Sequence, residues 1–276
     1  MSSRERMIVL IVLGVVIVGL ILLYSLKNTT NYNFKVYFFN AGKADAILIE
    51  NNNHYMMIDT GEEELASEIL SYFKENIITK LDYLIITHFD KDHVGSASSI
   101  INEIEIGEIY QSNYPKESTV YTAYLEAIES KNITPITVSG DINLSLGDSS
   151  LTINGPTEVY TSNESNNSSL IVSLTYQNNK FLFMGDSQNA RIKDFLNTNN
   201  EEYDFLKVPY HGNYLKRLDT LLKTKNIKYA VITSSLEEKE ADETLEMLNN
   251  YNIKTYLTRN GSITVLSDGD NIVIRQ

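Results

Sequence analysis

Cysteine is absent from this 276-residue chain, which excludes disulfides, thiolate metal sites and cysteine nucleophiles and fits either side of a membrane. Positive charge is short: 23 Lys and Arg stand against 36 Asp and Glu, a net charge of −13. That balance argues against charge-driven nucleic-acid binding by the whole surface, because phosphate contacts need Lys and Arg. A local basic groove stays open, and divalent metal would offset several carboxylates. No internal repeat of solenoid period occurs, and no serine stands in a nucleophile motif. Histidine is scarce as well. Of the four present, two fall within one short stretch. What remains is an ordinary globular composition, 42% hydrophobic and 21% charged, long enough for one large domain or two small ones.

Met7 to Tyr24 is an unbroken apolar run of the length that spans a bilayer. It has no polar face, which disfavours a buried core helix. Arg4 and Arg6 precede it and Lys27 follows, a bias that places the N-terminus in the cytoplasm. A cleaved signal peptide competes, but Leu22-Leu23-Tyr24-Ser25 is a poor cleavage site. The expectation is a cytoplasmic tail (1–6), a single-pass signal anchor (7–24), a linker (25–33) and an extracytoplasmic domain (34–276).

Strand and helix patterns alternate through that domain. Phe34 to Phe39, Ala46 to Glu50 and Tyr55 to Ile58 read as strands, and Leu65, Ile69 and Phe73 mark a helix face. Leu84 to Ile86 is a buried strand, followed by helix 96–102, strand 106–110 and helix 118–131. After Ser139 come strands 144–146 and 151–154, a polar loop over 157–169, and a hairpin of 170–176 with 181–184. Helices 188–196, 215–222 and 241–249 then alternate with strands 205–208 and 229–232, and three strands close the chain. Strands first, then mixed strand and helix, occur once in each half. This suits two packed sheets covered by helices, among several α+β arrangements.

The apolar strand at Leu84 runs into His88-Phe89-Asp90-Lys91-Asp92-His93-Val94-Gly95. His88, Asp90, Asp92 and His93 are four ligand-type side chains within six positions, at the end of a rigid strand. Histidine with carboxylate suits Zn²⁺, Mn²⁺ or Fe²⁺. A polar turn whose histidines only cap and hydrogen-bond is the plainer alternative. Asp186 ends the strand 181–184 and is either a helix cap or a ligand. His211 ends the strand 205–208, where a lone histidine would be a loop residue.

Together these segments resemble the metallo-β-lactamase fold, in its His-x-His-x-Asp-His motif with Asp90 at the second His. That variant resembles the extracytoplasmic hydrolase domain of ComEC-type competence proteins, from about Phe34 to the C-terminus. The resemblance implies a four-layer αββα sandwich, with one or two divalent ions, Zn or Mn, at one edge between the sheets. It implies that His88, Asp90 and His211 hold one ion and that Asp92 and His93 hold another. Asp186, in Gly185-Asp186, would bridge ions about 4 Å apart. A metal-bound water would attack an ester, with Asp92 orienting it or accepting its proton.

Pro209-Tyr210-His211-Gly212 matches the family's Pro-His-His-Gly with Tyr210 at the first His; Tyr210 would donate a hydrogen bond to an anionic oxygen. Asn166 falls in the family's Asn-x-x-Ser-Leu segment and would bond substrate or serve a turn. Asp45 and Asp59 would either orient ligands or form turns. The family's Gly-His-Pro after strand 229–232 is missing; Thr233 to Asp242 holds no histidine. Lys207, Lys216 and Arg217 form a basic cluster near His211, equally read as a solvated face. His54 reads as surface.

The function expected is a membrane-anchored phosphodiesterase or nuclease, with DNA or a wall polymer as substrate. Two rivals stand beside it: a phosphorylcholine or teichoic-acid phosphodiesterase, favoured by the acidic surface, and a catalytically inactive envelope binding module.

Overall fold

The structure is a computed structural model describing residues 32–161 and 164–276, with positions 7, 12, 14, 16, 17 and 19. The chain divides into two units, Met1–Tyr32 and Asn33–Gln276. In the first, the described positions from 7 to 19 are helical, and Met7, Val12, Val16 and Ile17 are exposed. The expected tail, anchor and most of the linker otherwise lie outside the described residues. Among the described residues no helix is long and apolar enough to cross a membrane.

The second unit opens with an antiparallel meander of β1 (Phe34–Phe38), β2 (Ala46–Asn51) and β3 (His54–Thr60). Crossovers then add parallel strands: α1 (Ala66–Glu75) leads to β4 (Lys80–Ile86), and α2 (Lys91–Val94) with α3 (Ala97–Glu103) to β5 (Glu105–Gln111). Next, α4 (Thr119–Ser130) leads to the short β6 (Ile136–Thr137). The second half repeats this order. β7 (Asp141–Leu146), β8 (Ser149–Asn154), β9 (Ile171–Tyr176) and β10 (Asn179–Phe183) pair antiparallel, with α5 (Glu164–Asn167) between β8 and β9. Then α6 (Asn189–Thr198), β11 (Phe205–Lys207), α7 (Leu218–Lys225), β12 (Tyr229–Ile232), α8 (Asp242–Asn250) and β13 (Lys254–Leu257) continue in parallel. β14 (Ile263–Ser267) and β15 (Ile272–Arg275) return to the first sheet, where β14 lies antiparallel to β1.

Period-two alternation explains why these strands form two layers. Phe34, Val36 and Phe38 point into the space between the sheets, as do Ile47, Ile49, Phe181 and Phe183. Ring centroids of Phe34 and Phe181 lie 4.8 Å apart across that space, and burial of each such ring is worth about 2–3 kcal/mol. The alternate residues face outward under helices. Leu48, Met57 and Leu84 meet Ile69, Phe73 and Ile100 on one side; Leu182, Leu206 and Ile232 meet Ile192, Phe195 and Leu221 on the other. The result is helices, sheet, sheet, helices, the α+β sandwich expected. α2 begins at Lys91, within the ligand-rich turn and ahead of Gly95. The polar stretch 157–169 contains α5, a single turn too short for periodicity to reveal.

Candidate metal centre

Every chemistry-bearing residue sits where a strand ends at one edge of the sandwich. β4 delivers Thr87 and His88, and the single turn of α2 presents Asp92 and His93. β10 delivers Gly185 and Asp186, and β11 leads to His211. Asp90 occupies the N-cap position of α2, but its side chain makes no capping bond. Its carboxylate instead accepts from Lys116 Nζ and Ser165 Oγ. Asp186 does not cap α6 either: Asn167 Oδ1 accepts the N–H groups of Gln188 and Arg191, each at 3.2 Å. The capping alternative for Asp186 therefore falls away.

His211 is placed by unusual backbone. Tyr210 and His211 are both left-handed, at φ 54° and 50°, and Gly212 follows at φ 73°. Such conformations cost about 1–3 kcal/mol per non-glycine residue and persist only where surrounding structure enforces them. Here they turn the imidazole inward, where it is 2% exposed.

Hydrogen bonding sets the tautomer of His93 and His211 and favours the same one for His88. Thr87 Oγ1 donates to Asp59 Oδ2 (2.6 Å), so toward His88 Nδ1, 3.2 Å away, it can only accept. His93 Nδ1 donates to Asp59 Oδ2 at 2.7 Å. Thr233 Oγ1 donates to Asp45 Oδ1 (2.6 Å), so it accepts from His211 Nδ1 at 3.0 Å. Each ring thus carries its neutral-form hydrogen on Nδ1 and turns an Nε2 lone pair toward the same space. These three Nε2 atoms, with Asp186 Oδ1, are buried without a hydrogen-bond partner. Buried polar atoms are rarely left so, and four of them converging make a candidate metal site.

Asp92, His93, Asp186 and His211 offer four ligand atoms within 4.8 Å of one another. His211 Nε2 lies 3.2 Å from both Asp92 Oδ2 and Asp186 Oδ2. His88 stands beside this group, its ring centroid 4.1 Å from that of His93, and its Nε2 is 3.9 Å from Asp90 Oδ1. The grouping taken from the resemblance is corrected here. His211 gathers with Asp92, His93 and Asp186 rather than with His88 and Asp90, because the left-handed turn swings it to that side.

Charge balance sets the protonation pattern. Burial pushes His88 down to about 4, helped by the neighbouring His93. Burial also disfavours charge on His211, but Asp186 and Asp92 outweigh it and hold this ring up at about 9. Asp186 is buried too, yet His211 and His93 hold its carboxyl well below the usual range.

Asp45, Asp59 and His93 also come within ligand distance of one another. Their oxygens are already engaged, however: Asp45 by Thr233 and Lys207, Asp59 by Thr87 and His93. They stand behind the imidazoles as supports. Lys207 was expected in a surface cluster and is fully buried instead. It pairs with Asp45 and donates to Gly185 O (3.1 Å), tying the support of His211 to the strand end bearing Asp186. Lys216 and Arg217 line a separate hollow beside α7 and α8. Asn166 and Tyr210 line the cleft over the site, about 680 Å³ in volume, with Asp90, Asp92, Asp186 and His211. His54 is at the surface, paired with Asp82 at 3.1 Å.

Sequence reasoning missed Thr87, Ser165, Thr233 and Lys116, whose residue types are too common to stand out. Lys207 did carry a signal, as a cation inside an apolar strand.

Three comparisons bear on this arrangement. Among solved structures, the metallo-beta-lactamase fold protein YhfI from Bacillus subtilis aligns with a TM-score of 0.56 at 12% identity, over 89% of this chain and 100% of its own. CmlA, a diiron beta-hydroxylase from Streptomyces venezuelae, aligns at 0.53 and 13% identity, over 82% of this chain and 52% of its own. These likenesses concern the fold alone. ComE operon protein 3 of Bacillus subtilis (strain 168) is 24% identical over 196 residues, 67% of this chain, which spans only 24% of that protein's length. The profile of the Metallo-beta-lactamase superfamily matches residues 40–234, from the turn before Asp45 to the strand end at Thr233, and the chain belongs to that superfamily.

Proposed function

We propose that this protein is a membrane-anchored, extracytoplasmic, metal-dependent phosphodiesterase. The observation that carries the reading is the convergence of three Nε2 atoms and Asp186 Oδ1, all buried and without a hydrogen-bond partner. Asp92, His93, Asp186 and His211 would hold a divalent ion, with His88 and Asp90 alongside. Mixed nitrogen and oxygen donors fit Zn²⁺ or Mn²⁺. Bound there, the ion supplies Lewis acidity and lowers the pKa of water.

The chain's own residues do the rest. Asp92, whose side chain is 22% exposed, faces the cleft and would orient the attacking water and accept its proton. Tyr210 and Asn166 would donate hydrogen bonds to non-bridging oxygens of the substrate. Asp59, and Asp45 through Thr233, hold the imidazoles in place, which preserves geometry as charge develops. The apolar run 7–24 supports a single-pass anchor with the catalytic unit outside the cell.

Resemblance to competence proteins supports DNA as substrate. The cleft rim favours a second reading. Glu237 stands there beside Glu62 and Glu238, which pair with Lys91 and Lys43 of the same rim, and the carboxylate left over suits a phosphodiester carrying a cation, such as phosphorylcholine or a wall polymer, better than a polyanion. Both readings are tested by assaying bis(p-nitrophenyl) phosphate, single-stranded DNA and a choline phosphodiester with Mn²⁺ or Zn²⁺, beside Asp92→Ala. Metal-dependent turnover that falls at least about a hundredfold in the variant is expected. DNA cleavage would favour the first substrate, and choline release the second. Metal binding with no turnover on any of the three would refute the hydrolase reading for phosphodiesters.

A further inference from the structure

The side of the site around His88 is built differently from the side around His211. Asp90, aligned with a family ligand, is not left to face an ion alone: it accepts from Lys116 Nζ at 2.5 Å and from Ser165 Oγ. Lys116 arrives on the loop joining β5 to α4. That loop is fastened to the segment around α5, where Ser112 Oγ donates to Ser168 O (2.9 Å) and Tyr114 bonds Glu164. Both partners remain accessible, with 36% of the Lys116 side chain and 26% of Asp90 exposed.

Fixed charges near the site can be assigned pairwise. Lys207 pairs with Asp45 and Lys116 with Asp90. Asp59 is covered by its donors Thr87 and His93. Two carboxylates, Asp92 and Asp186, are then left facing the Nε2 atoms of His93 and His211, enough to hold one divalent ion. Its four ligand atoms exclude His88.

We propose that the Lys116 ammonium is the built-in second cation of the site: it holds Asp90 and binds an anionic oxygen of the substrate, so that tight metal uptake stops at one ion per chain. An ammonium has three N–H donors, and Asp90 takes one. A compact point charge on a flexible stem suits a phosphate oxygen. The assignment rests on the metal-dependent reading above.

The test uses the full chain and three forms: wild type, Lys116→Met and Lys116→Arg. Each is titrated calorimetrically with Mn²⁺, its metal content is counted after desalting, and inorganic phosphate is then added to the loaded protein. One ion per chain is expected in wild type and two in Lys116→Met, where Asp90 is released. Phosphate should bind at least about tenfold more weakly to Lys116→Met and regain affinity in Lys116→Arg. Two ions of equal affinity in wild type, or phosphate binding indifferent to Lys116→Met, overturn the assignment and leave the metal-dependent reading standing. A chain that takes up no ion overturns both.

Discussion

A proton and a metal ion compete for Nε2 of His211. Burial opposes charge on this ring, yet the carboxylates of Asp186 and Asp92 hold its pKa at about 9, above the unfolded value of about 6.5. Without metal, the stabilisation from this ion pair is complete below about pH 6.5 and is lost as pH rises through about 9. Metal uptake must displace the proton, so its dependence has the opposite sign. Affinity for Mn²⁺ should rise by more than about tenfold per pH unit from 6.5 toward 9, because, against the cost of burial, Asp186, Asp59 and Asp92 also hold His93 well above its ordinary value, and its proton is displaced as well. Calorimetry at pH 6.5, 7.5 and 8.5, in buffers of different ionisation enthalpy, would also register the released proton. A flat profile would mean that His211 is not a ligand. His88, already neutral at these values, adds nothing to the slope. At this scale the sequence was informative because four ligand-type side chains fall within six positions at one strand end. His88, Asp92, His93, Asp186 and His211 do meet at one place. The hydroxyls that set their tautomers could not be read: Thr233 touches Asp45 across 188 positions, and nothing local marks it.

Among the elements, the turn after β10 has little freedom. Gly185 has φ +49°, and a Cβ there would lie 2.9 Å from Thr87 Oγ1 and 3.1 Å from Ser169 Cβ. Neither neighbour yields easily, since Thr87 is bonded to Asp59 and Ser169 Oγ accepts from Asp186 N. Gly185→Ala should destabilise the fold by about 1–3 kcal/mol and weaken metal binding by moving Asp186. Chemical denaturation and a Mn²⁺ titration check this; an unchanged midpoint with unchanged affinity would count against it. Most strands were legible to within a residue or two, because inward and outward residues alternate in both sheets. The left-handed pair Tyr210 and His211 was not. Gly212 hinted at a turn, but the strain lies on the two residues before it, where only contacts distant in sequence enforce it.

For the molecule as a whole, both sheets and all proposed ligands lie within Asn33–Gln276. Residues 33–276 alone should therefore unfold in one cooperative transition and bind Mn²⁺ as the full chain does, within about twofold. Two transitions, or lost binding, would show that the first unit contributes. The layered architecture was legible as a class from two similar halves, but strand order was not, since pattern says nothing about which edges meet. One such meeting matters for how the protein is made. β1 is among the first parts of the domain to leave the ribosome, and its partner on one edge is β14, among the last. Throughout synthesis the first sheet carries an open flank, and the half holding His88 must wait beside it for the half holding His211. Newly made chains thus keep that flank open to mispairing until β14 emerges, after every residue of the site has been made.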